Sequence, residues 1–163
     1  MLYRYMYLSS ATDQFAHDDI EDILTTSHRN NEPVGITGLL VMHERRFLQV
    51  LEGPKDDVTR CVNRIKHDAR HDGIFRLSSG PVQDRAFPRW RMGFAMAEEL
   101  LAEGDAPVFS IADLARPYSA DRGNAPEVRA AIREFLAGFR FLRPRREVSA
   151  AAEELRRHLL QAG

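Results

Sequence analysis

Residues 35–53, Gly35-Ile36-Thr37-Gly38-Leu39-Leu40-Val41-Met42-His43-Glu44-Arg45-Arg46-Phe47-Leu48-Gln49-Val50-Leu51-Glu52-Gly53, carry the reading that decides the fold. Two strand-like runs, 35–42 and 46–52, are parted only by His43-Glu44-Arg45, so they form an antiparallel hairpin. In the second run Phe47, Gln49 and Leu51 share one face, while Leu48 and Val50 share the other. Both faces are apolar, which places this strand in a sheet that needs cover on two sides. Gln49 interrupts the pattern. A buried amide left unbonded costs roughly 1–3 kcal/mol, so Gln49 is tied to neighbouring backbone or water, or it serves a site.

Outward from the hairpin, residues 2–8 alternate, with Tyr3, Tyr5 and Tyr7 on one face and Leu2, Arg4, Met6 and Leu8 on the other. Ile20, Ile23, Leu24 and Ser27 mark one face of a helix near 17–29, whose early turns hold Asp18, Asp19, Glu21 and Asp22. Asn30-Asn31-Glu32-Pro33 is expected to break it. Gly53-Pro54 opens a second helix, with proline suited to the first turn. Its stripe is Val58, Cys61, Val62 and Ile65, and it is expected to end between Asp68 and Gly73. Strands near 74–80 and 89–96 follow. The order βαββαββ predicts an α+β fold, a ferredoxin-like sandwich with two helices on one sheet face.

Beyond residue 97 Ala, Glu, Leu and Arg dominate, with candidate helices near 97–103, 109–116, 125–138 and 147–161. This C-terminal helical extension is expected to cap the second sheet face or to pair with its counterpart in another subunit. The predicted division is 1–96 as the α+β domain and 97–163 as extension.

Of 163 residues, 23 are basic and 24 acidic, a balance that argues against a general nucleic-acid binder or a protein of anionic membranes. The first 96 residues hold 13 of each sign. Phe139-Arg140-Phe141-Leu142-Arg143-Pro144-Arg145-Arg146 interleaves basic and aromatic residues, but reads best as a helix end with solvated arginines. The single Cys excludes an intramolecular disulfide and fits a reducing compartment. Cys61 itself reads as a buried structural thiol. The N-terminus has no secretory pattern, and no run approaches the roughly 18 apolar residues that span a bilayer. A cytoplasmic location is expected.

No G-x-S-x-G elbow, P-loop or G-x-G-x-x-G occurs, so acyl transfer, nucleotide hydrolysis and Rossmann dinucleotide binding lack support. His67 and His71 stand four apart, but zinc would need a third ligand. A polar helix end or an organic-ligand site is the better reading, and no metal is predicted.

Six separated pieces decide the functional reading. They are Tyr7-Leu8-Ser9; Ser27-His28-Arg29-Asn30-Asn31; Gly35-Ile36-Thr37-Gly38-Leu39-Leu40; Phe47-Leu48-Gln49-Val50-Leu51-Glu52-Gly53; Asp68-Ala69-Arg70-His71; and Arg85-Ala86-Phe87-Pro88-Arg89-Trp90-Arg91-Met92. In order and spacing they closely resemble the BLUF domain, a blue-light sensor using FAD, across about residues 1–96. The resemblance implies an isoalloxazine ring between the two inner helices, with Ile23 and Ile65 on its faces and Asn31 on its polar edge. By the same resemblance Gln49 bridges Tyr7 and the flavin N5/O4 edge. Arg64, Asp68, Arg70 and His71 are implied around the ribityl region and ring edge, with Asn30 a weaker candidate there.

The resemblance further implies that Tyr7 gives an electron and a proton to the excited flavin through Gln49. Gln49 is left rotated or tautomerised, producing a small reversible red shift. Trp90 and Met92 are the implied switch. Expected partners are a second copy of the chain, through the C-terminal helices, and an unidentified downstream protein; nucleic acid and membrane are not expected. No second catalytic domain is expected in 97–163, and the chain is expected not to be an enzyme. A small flavin-dependent oxidoreductase and a non-photoactive interaction module are the alternatives.

Overall fold

The predicted hairpin forms part of the middle of a five-stranded sheet. A computed structural model of the protein describes residues 1–16, 18–88, 92–96 and 125–137. Its elements are β1 (Leu2–Ala11), α1 (Asp19–Asn31), a 3-10 turn (Glu32–Val34), β2 (Thr37–His43) and β3 (Arg46–Pro54). There follow α2 (Lys55–Lys66), β4 (His71–Pro81), β5 (Gly93–Met96) and α3 (Pro126–Ala137). The strand order is β4-β1-β3-β2-β5. All neighbours are antiparallel except β2 and β5, which run parallel. This is the ferredoxin-like order with a fifth strand added beside β2.

Several boundaries differ from expectation. Asn30 and Asn31 do not break α1: the helix runs through both and passes into the 3-10 turn, where Pro33 needs no amide hydrogen. Gly35 closes the turn at φ 64°, a left-handed conformation that favours glycine. Pro54 lies at the end of β3, immediately before the first helical residue, Lys55, rather than inside the first turn. The second helix stops at Lys66, short of the expected 68–73. The fourth strand begins at His71, not 74, because β1 extends to Ala11 and Ala11 pairs with His71. The fifth strand begins at Gly93 among the described residues. Arg89, Trp90 and Arg91 lie outside them.

Two cores flank the sheet, as the two-sided pattern of β3 requires. Under α1 and α2 are Tyr7, Leu24, Leu40, Phe47, Leu51, Val58 and Val62. On the other face Met6, Leu39, Val41, Leu48 and Val50 pack with Val128, Ile132, Phe135 and Leu136 of α3. The candidate helix at 125–138 therefore forms and covers the second face. The other three candidate helices and the arginine-aromatic stretch at 139–146 fall outside the described residues. No described helix is long and apolar enough to cross a membrane.

Gly38 is dictated by close approach within the hairpin. A Cβ there would lie 1.9 Å from the carbonyl oxygen of Val50, a collision with backbone. The glycine lets β2 and β3 keep the register that sets Leu40 opposite Gln49.

Candidate functional site

Tyr7 and Gln49 are direct cross-strand partners on β1 and β3. Both side chains turn towards the face under α1 and α2, where Tyr7 is 1% and Gln49 4% exposed. The Tyr7 hydroxyl donates to Gln49 Oε1. Gln49 Nε2 donates to the Met92 sulfur at 3.3 Å, an interaction in which the thioether is only a weak acceptor. Thus the amide inside the apolar strand is bonded on both ends by side chains. Burial, reinforced by the proximity of Cys61, Tyr5 and Asp68, pushes the Tyr7 phenol far above its ordinary range, so it holds its proton.

Beside this chain opens a cavity of about 140 Å³. Ile23, Thr26, Ser27, Asn30 and Asn31 line it from α1, and Cys61, Arg64 and Ile65 from α2. Leu40, Gln49 and Leu51 contribute from the sheet, with Asp68, Arg70, His71 and Met92 completing the lining. The amphipathic helices leave their apolar stripes on the sheet, and the cavity lies where the two stripes meet strands β2 and β3. Asn31 is buried at 2% exposure and its Oδ1 accepts from the Cys61 thiol at 4.0 Å.

The charged end of the cavity is organised locally. Asp68 accepts from Arg70 Nε at 3.0 Å and Nη2 at 2.8 Å, a two-pronged contact that holds its carboxyl below the usual carboxylate range. Arg70 also reaches Asp19 at 3.5 Å. His71 Nδ1 lies 3.2 Å from Ser9 Oγ, and its ring is tilted against Phe47 with centroids 5.2 Å apart. Burial holds the His71 imidazole below its ordinary pKa. His67 points elsewhere, its Nδ1 donating to the Asn63 carbonyl at 2.7 Å. Among the described residues no group of three or more His, Cys, Asp or Glu could hold a metal ion.

The family model described as "Sensors of blue-light using FAD" matches residues 2–93. The chain belongs to the BLUF family.

Among its relatives is the photoactivated adenylate cyclase subunit beta of Euglena longa, 37% identical over 97 residues. That match covers 59% of this chain but only 11% of the relative, so the chain spans about a tenth of that protein's length. The dark-state structure of BlrB, a BLUF protein, superposes with a TM-score of 0.62 at 28% identity, covering 84% of this chain and 96% of BlrB. Klebsiella pneumoniae BlrP1 with FMN and cyclic diGMP gives a TM-score of 0.69 at 24% identity, over 87% of this chain and 36% of BlrP1, a likeness of fold.

Every site residue expected from the BLUF resemblance lines the cavity, except Tyr7, which joins it through Gln49, and Trp90, which lies outside the described residues. Sequence reasoning missed Thr26, Ser27, Leu40, Leu51 and Cys61 as lining residues. Helical spacing relates Thr26 to Ile23 and Asn30, three and four positions away, and that was the available signal. Cys61 is the buried thiol expected, and it also lines the cavity.

Glu52 and Arg85, both within the quoted motifs, do not line the cavity. Arg4 and Glu52, again cross-strand partners, are 5% and 0% exposed and meet at 2.6 Å. Glu52 also accepts from the Ala86 and Phe87 amides at 2.9 and 3.0 Å. Arg4 donates to the Asp84 carbonyl at 3.0 Å and to Glu127 in the first turn of α3. Arg85 donates to Thr37 Oγ1 at 2.8 Å and to the carbonyls of Glu52 and Gly35, both at 2.7 Å. The 84–88 segment is thereby fastened to β1, β2 and β3.

Proposed function

We propose that this protein is a blue-light photoreceptor that binds FAD non-covalently and signals through altered protein contacts. The carrying observation is the chain Tyr7–Gln49–Met92 at the edge of a cavity walled by two helices. A flavin ring has an apolar benzenoid side and a polar, amide-like side. The lining suits both, with Ile23, Ile65 and Leu40 for the first and Asn31 and Gln49 for the second. Arg64, Asp68 and Arg70 supply charge, and His71 a polar ring, where a ribityl chain and ring edge need polar partners, and Asn30 adds an amide. These residues would hold the flavin, whose excited state supplies a strong oxidant.

The side chains themselves define what can move. Tyr7 keeps its proton in the dark and directs it at Gln49 Oε1. Gln49 has a donor end and an acceptor end, so rotation about its amide exchanges them without a change of charge. After such a rotation it would turn N–H towards Tyr7 and its carbonyl towards the Met92 sulfur. A thioether cannot donate, so the Met92 contact is lost. Light is thereby converted into release of the Met92 side chain, in the residue that leads into β5. Trp90, two residues earlier, belongs to the same segment of sequence. The 1–96 sensor and the 97–163 extension would share the signal, the extension altering contacts with a second copy of the chain or with a downstream protein.

One absorption series tests this. The purified protein, supplied with FAD, is expected to be yellow, to shift its flavin band to longer wavelength under blue light without bleaching, and to return in darkness. Chromatography of the flavin retained by protein offered equal amounts of FAD and FMN decides between the two. Lasting bleaching on addition of a reducing substrate would make the protein an oxidoreductase. A colourless protein unable to take up flavin would leave an interaction module.

A further inference from the structure

Met92 is held at two points. Its sulfur accepts from Gln49, and its main-chain carbonyl accepts from His28 Nε2 at 3.0 Å. Because a carbonyl can only accept, Nε2 carries the hydrogen. His28 sits in the last turn of α1, next to Ser27 of the cavity lining, and is itself half-buried. Its bond therefore joins the helix that walls the cavity to the first residue before β5. A thioether contact is weak and sensitive to position, so its geometry depends on where the Met92 backbone is fixed.

We infer that His28 is a positioning residue of the light switch, its imidazole holding the Met92 backbone so that the sulfur stays within reach of the Gln49 amide. The inference rests on the photoreceptor reading for its consequence, though the clamp is a property of the chain alone. Once Gln49 has rotated away, His28 keeps the Met92 segment close to the cavity, ready for the amide to turn back. Loss of the clamp lets this segment drift, and the lit state then resets more slowly.

The test compares the full-length wild type with His28→Phe, His28→Ala and His28→Gln. Phenylalanine keeps a ring but no donor; glutamine keeps a donor. Two readouts are followed, hydrogen exchange of the amides at 92–96 in darkness and the rate of dark recovery after blue light. A neutral hydrogen bond is equivalent to roughly a two- to ten-fold change in an equilibrium. His28→Phe and His28→Ala are expected to exchange about five-fold faster at 92–96 and to recover about five-fold more slowly, with an undiminished red shift. His28→Gln is expected to lie close to wild type in both.

Wild-type exchange in His28→Ala and His28→Phe would overturn the clamp. Faster exchange with unchanged recovery would overturn its part in the switch. If the wild type itself has no reversible shift, the photoreceptor reading falls and the switch role with it, while the exchange arm still decides whether the clamp exists.

Discussion

At the scale of single residues, the proposed photochemistry rests on one amide and one phenol that the β1–β3 register sets opposite each other. Replacing Gln49 with Leu removes both bonding ends but keeps volume and apolar contacts, so flavin should still bind. The reversible red shift is expected to be abolished, and a full shift in Gln49→Leu would refute the role. Tyr7→Phe deletes only the hydroxyl and is expected to remove the normal shift while leaving the flavin bound; its difference spectrum is the check. His71 carries a separate expectation. Burial lowers its pKa in the folded protein beneath the ordinary 6.5. Below 6.5 the unfolded chain then takes up a proton that the folded chain resists, so stability falls as the pH drops through that window. His71→Gln cannot titrate, and its urea midpoint should lose less on acidification than the wild type's. Equal losses would remove His71 from the acid response.

At the scale of elements, β1 and β3 bear two cross-strand polar pairs, on opposite faces and three residues apart. Tyr7–Gln49 faces the cavity, and Arg4–Glu52 faces α3. Removing one member of a buried ion pair strands the other and typically costs about 3–5 kcal/mol. Glu52→Leu is expected to lose stability towards that order by chemical denaturation, because the Ala86 and Phe87 amides lose their carboxylate and Arg4 keeps only the Asp84 carbonyl and the half-exposed Glu127 as partners. Arg4→Met combined with Glu52→Leu should recover part of the loss, yet stay below wild type, since the two amides remain without a carboxylate. A double variant no better than Glu52→Leu would show that the amides, not the guanidinium, carry the penalty. This pair explains what was not legible. Glu52 and Arg85 stand within motifs that read as a flavin site, and composition cannot distinguish a residue that lines a cavity from one that fastens the loop behind it. Gln49 was legible because a lone amide in a two-sided apolar strand has few explanations. The length of α1 was not, because Asn30 and Asn31 favour turns locally, whereas the 3-10 turn and Gly35 provide the actual end.

At the scale of the whole molecule, the two-sided apolarity of β3 is the feature that required a cover, and α3 supplies it among the described residues. The arrangement has an energetic consequence that separates it from a helix resting loosely on a surface. Ile132 is 0% exposed and Val128 1%, embedded among Met6, Leu39, Leu48 and Val50. Truncating an isoleucine so enclosed removes apolar contacts and leaves a cavity, which costs about 2–5 kcal/mol. Ile132→Ala is therefore expected to lower the denaturation midpoint strongly, while Arg133→Ala, exposed on the next position of the same helix, should be nearly neutral. The sheet's two faces also make a spectroscopic prediction. The cavity lies on the opposite face from Ile132, so Ile132→Ala should keep its flavin and its red shift at temperatures where it remains folded. If Ile132→Ala matched the wild type in stability, α3 would not be a working part of the core. A variant that stayed folded yet lost the shift would mean that the second face acts directly on the Tyr7–Gln49 pair, through strands that the two faces share.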